Sequence, residues 1–170
     1  MYFCNLKTII MTKQKTWKGI RVCSYVAIVL CVAWAVMLAF VFIGLLTGKG
    51  GVDKAIDWSQ ENTSAKAVLL VVDVLSAIAT IGLCVLAALN FLISSREEIV
   101  FPQRNVKVFF WLVLSYFVHR LCWAMHPVYY DHGFSFTAGH SVFVIPFLLL
   151  FFAFMYKVAA DAVEENNLTV

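Results

Sequence analysis

Four long runs of apolar residues, separated by short polar segments, form the main pattern of the chain. The runs cover residues 22–48, 74–94, 108–118 and 134–156. Each run has, or extends to, about the 20 residues with which a helix crosses about 30 Å of hydrocarbon. The runs lack the alternation of apolar and polar residues that is typical of a barrel strand. Because a spanning helix satisfies its own backbone polar groups, the pattern predicts four membrane-spanning helices.

The fold class that follows is all-α and integral to the membrane, an up-and-down bundle of four transmembrane helices. We predict helices at about 22–48, 67–95, 104–125 and 138–158, between a basic segment at 1–21 and a helix extension with an acidic tail at 157–170. Composition supports this class, because 62% of the residues are hydrophobic and 14% are charged. Soluble domains have roughly 45–50% apolar and 25% charged residues.

The basic N-terminal segment is similar in charge to the start of a signal peptide. A signal peptide has an apolar core of about 7–15 residues, whereas the run after Arg21 has 27 residues. We therefore predict that this run is retained as the first helix. Met11 offers a second translation start, and the sequence leaves Met1 and Met11 both open.

Charged residues between the runs predict the orientation of the bundle. Nine lysines and arginines lie before helix one, between helices two and three, or after helix four, and three lie between helices one and two. Cytoplasmic segments of membrane proteins carry the excess of basic residues. We therefore expect both termini and the middle loop to lie in the cytoplasm.

Two ionisable residues inside the predicted helices need partners. Asp73 and Arg120 both lie about 10 Å below the outer surface at 1.5 Å per residue. A charge inside a bilayer is costly and normally faces the bundle interior, where it is paired or hydrated. Equal depth and opposite sign predict an Asp73–Arg120 pair, with His119 and Tyr116 completing a polar pocket. The pocket is either a structural clamp or a site for a proton or a ligand.

Catalytic and cofactor-binding patterns give little support to an enzyme. The chain has no phosphate-binding glycine loop, no G-x-S-x-G and no H-E-x-x-H. Its five cysteines include no C-x-x-C, so we predict no disulfide framework. Three histidines, His126, His132 and His140, follow helix three without the tight spacing of a known metal motif. We predict a non-enzymatic protein without a cofactor, and a metal- or haem-binding redox protein stays open as an alternative.

Two segments carry a resemblance to a known family. The segment FPQRNVKVFFWL, at 101–112, resembles the F-x-x-x-N-V-x-x-[LF] entry into the third helix of a bacterial membrane family called domain of unknown function 2975. The tail AADAVEENNLTV, at 159–170, resembles the Glu-Glu-Asn-x-Leu-Thr-[VI] ending of that family. With four helices and cytoplasmic termini, the resemblance covers essentially the whole chain.

The resemblance implies a multi-pass protein of the bacterial cytoplasmic (inner) membrane with a regulatory or partner-binding role. Members of the family are often encoded beside small helix-turn-helix regulators, which suggests such a DNA-binding protein as the partner. We expect no direct contact of this chain with nucleic acid, and homo-oligomers stay open. Matched to the two motifs, the expected partner-binding residues are Phe101, Asn105, Glu164, Glu165, Asn166, Leu168 and Thr169.

The acidic pair in the tail does not stabilise the helix end on which it lies. Glu164 and Glu165 lie near the C-terminal end of the extended fourth helix, where a negative charge opposes the helix dipole by about 0.3–1 kcal/mol. The pair therefore either solvates the helix end or meets a basic surface on the middle loop or on a partner. The competing function is a small transporter or ligand sensor that uses the Asp73 and Arg120 pocket.

Overall fold

A computed structural model of the protein describes residues 2–48, 63–97, 99–125 and 140–168. Four α-helices account for nearly all of them: α1 (Tyr2–Thr47), α2 (Thr63–Ser94), α3 (Arg104–Ala124) and α4 (His140–Leu168). Each helix contains a stretch that is long and apolar enough to cross a membrane. The prediction of an all-helical chain with four such helices is confirmed.

The first helix is much longer than its apolar run. α1 has 46 residues, or about 69 Å at 1.5 Å per residue, against about 30 Å of hydrocarbon. It begins at Tyr2, whereas the predicted helix begins at residue 22. Hydropathy identifies only the part of a helix that is apolar enough for hydrocarbon. Residues 2–18 contain no glycine or proline, so the helix can continue through them toward the N-terminus.

The fourth helix continues into the segment at 157–170 that was predicted as its extension. α4 ends at Leu168, about ten residues after the predicted end at 158, and Pro146 lies inside it. The segment after Lys157 is rich in alanine, which has the highest helix propensity. α2 ends at Ser94 and α3 begins at Arg104, so Pro102 lies between the two helices.

Consecutive helices pack against each other in antiparallel pairs. α1 packs on α2, α2 on α3 and α3 on α4. Arg21 of α1 reaches Ser95 directly after α2, while Leu45 near the other end of α1 packs against Leu70 near the start of α2. Ring pairs Phe110–Phe154 and Phe117–Phe143 give α3 and α4 the same antiparallel order. The arrangement is an up-and-down bundle, and we call the end that carries residues 95–103 the loop end.

Burial in the bundle is the reverse of that in a soluble protein. Large apolar side chains cover the outside, and Phe40 is 73% and Phe147 67% exposed. Polar side chains lie inside, where Asp73 and Asn105 are both 0% exposed. Most of the inner residues on α2 are small, among them Ala77, Ala87 and Ala88. Small residues allow neighbouring helices to approach closely where there is no hydrophobic force between them.

Candidate functional site

A row of side-chain hydrogen bonds joins α2 to α3 along the length of the bundle. We call this row the polar seam. Its three cross-helix pairs are Asp73–His119, Thr80–Ser115 and Asn90–Asn105. Asp73 and Thr80 lie seven residues apart on α2, a spacing that keeps both on the face toward α3. Hydrogen-bonded polar residues between apolar helices hold the helices together.

The Asp73–His119 pair lies at the end of the seam that is far from the loop end. The carboxylate Oδ1 of Asp73 is 2.7 Å from the imidazole Nδ1 of His119. Both side chains are almost completely buried. The pair is therefore an acid–base contact closed off from solvent, in which the tautomer and protonation of the imidazole decide which nitrogen donates.

Two tryptophan rings pack against the imidazole of His119. The ring of Trp34, from α1, makes an edge contact at 6.1 Å between centroids and an interplanar angle of 62°. The ring of Trp123, one turn further along α3, lies at 6.3 Å. Trp34 brings α1 into contact with α3 as well as with α2, so the imidazole lies where three helices meet.

The predicted pocket residues differ in burial. Asp73 and His119 meet, whereas Arg120 and Tyr116 are half-buried on α3. The predicted pairing of Asp73 with Arg120 stays a prediction. Sequence depth alone cannot separate His119 from Arg120, because the two residues are adjacent but point about 100° apart around the helix. The face shared by Ser115 and His119, four residues apart, is the signal that selects the histidine.

Asn105 is a correction to the predicted partner-binding surface. Its Oδ1 accepts a hydrogen bond of 2.7 Å from Asn90 Nδ2, and its Nδ2 donates to the carbonyl of Ala87 at 3.3 Å. The side chain is fully buried between α2 and α3. Asn105 therefore joins two helices and is not accessible to a partner protein.

Polar contacts also fix the loop end. Arg21 donates to the hydroxyl and the carbonyl of Ser95, at 3.1 and 3.2 Å. Arg104 donates to Ser94 Oγ at 2.7 Å and to the Glu97 carboxylate at 3.3 Å. α1, the end of α2 and the start of α3 are therefore tied together by two guanidinium groups.

The extension of α4 is attached to the connection between α2 and α3. Gln103 Nε2 donates to Asp161 Oδ1 at 3.0 Å, and Lys157 Nζ lies 2.6 Å from Asp161 Oδ2. One turn earlier, the Tyr156 hydroxyl donates to the carbonyl of Pro102 at 3.1 Å. The Tyr156 ring also packs on Phe101 and Phe109, at 5.6 and 4.7 Å between centroids.

A groove of about 340 Å³ lies between this connection and the α4 extension. We call it the loop groove, and its wall includes Ile99, Phe101, Gln103, Arg104, Val163 and Glu164. Two expected partner-binding residues, Phe101 and Glu164, therefore meet in one concave surface. Glu165 and Asn166 are exposed on the next part of α4, Leu168 ends the helix, and Thr169 lies outside the described residues.

The described part of the chain contains no cluster of side chains suited to a metal ion. Across residues 2–48, 63–97, 99–125 and 140–168, no group of three or more histidine, cysteine or acidic side chains could hold an ion. His126 and His132 of the predicted alternative lie outside these residues.

The chain was compared with family models, curated proteins and solved structures. No family model matches the chain, no curated protein matches it, and no solved structure matches it. The resemblance to domain of unknown function 2975 rests on the segments 101–112 and 159–170 and stays a prediction.

Proposed function

We propose that the protein is a non-enzymatic, multi-pass membrane protein that binds a partner protein at its loop end, on the cytoplasmic side. The membrane part of the proposal is supported by the reversed burial of the helices. Apolar side chains on the outside cost no free energy when lipid surrounds them, whereas in water they would form a continuous patch far larger than a soluble monomer exposes.

The cytoplasmic side is supported by charge. Nine lysines and arginines belong to the N-terminal segment, to residues 96–107 between the second and third apolar runs, and to the start of the α4 extension, against three between the first two apolar runs. The positive-inside rule assigns the richer side to the cytoplasm. The loop groove and the α4 extension would then face cytoplasmic proteins, and the chain would belong to the bacterial inner membrane, as the resemblance implies.

The observation that carries the partner-binding role is the attachment of α4 to the middle connection. Gln103–Asp161 and Tyr156–Pro102 hydrogen bonds hold both walls of the loop groove in place before any partner arrives. A surface that is already ordered loses less conformational entropy on binding. Its wall combines an aromatic residue, Phe101, with the charged Arg104 and Glu164, and an apolar centre with a polar rim is typical of protein interfaces.

A small helix-turn-helix regulator, encoded beside this chain, is the partner to test first. The groove variant is Val163→Asp, and the matched control is Ala162→Asp, which adds the same charge to an exposed neighbour outside the groove wall. We expect Val163→Asp, like deletion of residues 164–170, to weaken binding at least tenfold, because a charge would enter the apolar part of the groove. Ala162→Asp should leave affinity within about twofold.

The measurement is the dissociation constant between the purified regulator and the chain in lipid nanodiscs. Membrane yield and helical content must be the same for all variants, so that loss of binding is separated from loss of insertion. Equal affinity of the Val163→Asp and Ala162→Asp variants would contradict the groove, and no binding by the unchanged chain would contradict the regulator as the partner.

A further inference from the structure

The α1 side of the loop end carries hydrogen-bond donors that have no acceptor among the described residues. We propose that Trp17, Arg21 and Arg96 bind the phosphate of an anionic membrane phospholipid at this place. The ligand is a phosphate ester with a net negative charge, and the protein supplies N–H donors from one indole and two guanidinium groups. The proposal rests on the membrane part of the proposed function, and it does not depend on a partner protein.

The indole of Trp17 ends a row of buried side chains on α1. Five residues of this helix are buried at intervals of seven and so share one face: Trp17, Ser24, Cys31, Leu38 and Leu45. Leu45 shows that the face packs toward α2. The Nε1 atom of Trp17 is buried and has no hydrogen-bond partner in the described part of the chain. Because buried donors almost always have an acceptor, this N–H group indicates a ligand with an acceptor oxygen.

Two guanidinium groups lie beside the same residue, Ser95. Arg21 is one turn from Trp17 on the same face of α1, and its Nε and Nη2 atoms donate to Ser95. A guanidinium has five N–H donors, so further donors of Arg21 remain for another acceptor. Arg96 follows Ser95 directly and is exposed, and its side chain has no polar partner among the described residues. The planar fork of arginine N–H groups matches the oxygens of a phosphate.

The charge near these donors favours an anion. Residues 1–52 contain no aspartate or glutamate, whereas five lysines and arginines lie within 7–21. In the connection between α2 and α3, Glu97 pairs with Arg104 at 3.3 Å, and Glu98 lies outside the described residues. Clusters of basic residues next to a membrane-spanning helix attract anionic lipids. The expected ligand is therefore an anionic phospholipid and not a zwitterionic one.

The position of the donors along α1 favours a lipid over a soluble phosphate. The first apolar run begins at Val22, directly after Arg21, and the side chains of Val22 and Tyr25 are exposed on the outside of the bundle. With hydrocarbon around these side chains, the guanidinium of Arg21 lies at the level of the lipid head groups, where tryptophan and tyrosine are also enriched. Basic pockets at this level bind lipid head groups.

The experiment measures lipid binding by native mass spectrometry of the chain in detergent micelles. The chain is titrated separately with phosphatidylglycerol, phosphatidylcholine and free glycerol phosphate. We expect phosphatidylglycerol to bind about tenfold more tightly than either of the others, because phosphatidylcholine lacks the net negative charge and glycerol phosphate lacks the acyl chains. Recovery of the chain from the membrane fraction comes first, so failure of the membrane proposal is distinguished from failure of the lipid site.

Two variants separate a specific site from general attraction between charges. Trp17→Phe keeps the net charge and removes the indole donor, and Arg96→Gln removes a guanidinium that has no polar partner in the described chain. We expect each to weaken the binding of phosphatidylglycerol about tenfold, because a charge-assisted hydrogen bond is lost. The control is Lys107→Gln, which removes one positive charge from an exposed position on α3 and should change the affinity by less than about twofold.

Unchanged binding by a folded Trp17→Phe chain would overturn the site, and equal losses in the Arg96→Gln and Lys107→Gln chains would do the same. Glycerol phosphate that binds as tightly as phosphatidylglycerol would contradict a lipid as the ligand. Helical content and elution volume show whether each variant is folded. If Trp17→Phe does not fold, the comparison of Arg96→Gln with Lys107→Gln still decides. Partner binding at the loop groove is measured separately, so either proposal can fail without the other.

Discussion

Asn105 is the residue on which the loop end of the polar seam depends most. Its side-chain amide both accepts from Asn90 and donates to the backbone of Ala87, so one residue bonds to two polar groups within one turn of α2. A buried polar group that loses its partner costs more than the hydrogen bond itself contributes. The difference between losing one partner and losing both therefore tests whether the hydrogen bond of Asn105, and not only the burial of its side chain, stabilises the bundle.

Replacing Asn105 should therefore destabilise the bundle more than replacing both asparagines. We expect Asn105→Leu to lower the free energy of unfolding by about 1–2 kcal/mol, because the half-buried Asn90 amide loses its acceptor between the two helices. The double variant Asn90→Leu/Asn105→Leu should recover part of this loss. Equilibrium unfolding in mixed detergent micelles measures both, with the exposed Lys107→Ala as the control. A double variant that is less stable than Asn105→Leu would contradict the role of the pair.

Residue-level prediction from the sequence identified the burial of Asp73 and did not identify its contact with His119. Asp73 was identified because a carboxylate in an apolar run must face inward, and the structure buries it completely. Its contact with His119 depends on the rotation of α3, which depth along the chain does not determine. Asn105 was assigned to a surface because it belongs to a motif, whereas the structure buries its side chain completely.

At the scale of the helices, α2 and α3 form the central hairpin, and the outer helices are attached to it in different ways. α1 is joined by the guanidinium of Arg21 at the loop end and by Trp34 at the other end. α4 is joined by aromatic contacts and by the Gln103–Asp161 hydrogen bond at its extension. The extension therefore depends on a few exposed polar contacts, and the hairpin depends on buried ones.

Breaking the contact at Asp161 should loosen the middle connection without affecting the seam. Asp161 accepts from Gln103 and pairs with Lys157, so Asp161→Ala removes the side-chain link between the α4 extension and the residue before α3. We expect amide hydrogen exchange to become faster over residues 99–105 and to stay unchanged over residues 73–90. Glu164→Ala, three residues later on the same helix, is the matched control. Unchanged exchange at 99–105 in the Asp161→Ala chain would show that the contact does not hold the connection.

The existence of the four helices was predictable from hydropathy, whereas the full length of α1 was not. The four apolar runs correspond to the four helices because each run needs internal hydrogen bonds in hydrocarbon. α1 and α4 extend beyond their runs, since a helix continues through polar residues wherever glycine or proline does not interrupt it. The pairing of α4 with the middle connection joins residues 58 positions apart, which a scan of local patterns cannot detect.

At the scale of the whole molecule, polar groups concentrate between the helices and at the loop end, and apolar groups cover the outside. This distribution supports four crossings of a bilayer, and the excess of basic residues near the loop end supports its cytoplasmic position. A cytoplasmic loop groove is a condition of the proposed function, because a soluble regulator can reach that groove from one side of the membrane alone.

The position of the loop groove can be measured with single cysteines in a chain whose five natural cysteines are replaced by serine. Cysteines introduced at Thr16, Glu97 and Glu164 report on the N-terminal segment, the middle loop and the α4 extension, and one at Lys54 reports on the first loop. A maleimide that does not cross membranes is added to intact spheroplasts and to permeabilised cells. We expect Lys54→Cys to be labelled in both and the other three only after permeabilisation. Labelling of Glu97→Cys or Glu164→Cys in intact spheroplasts would contradict a cytoplasmic groove.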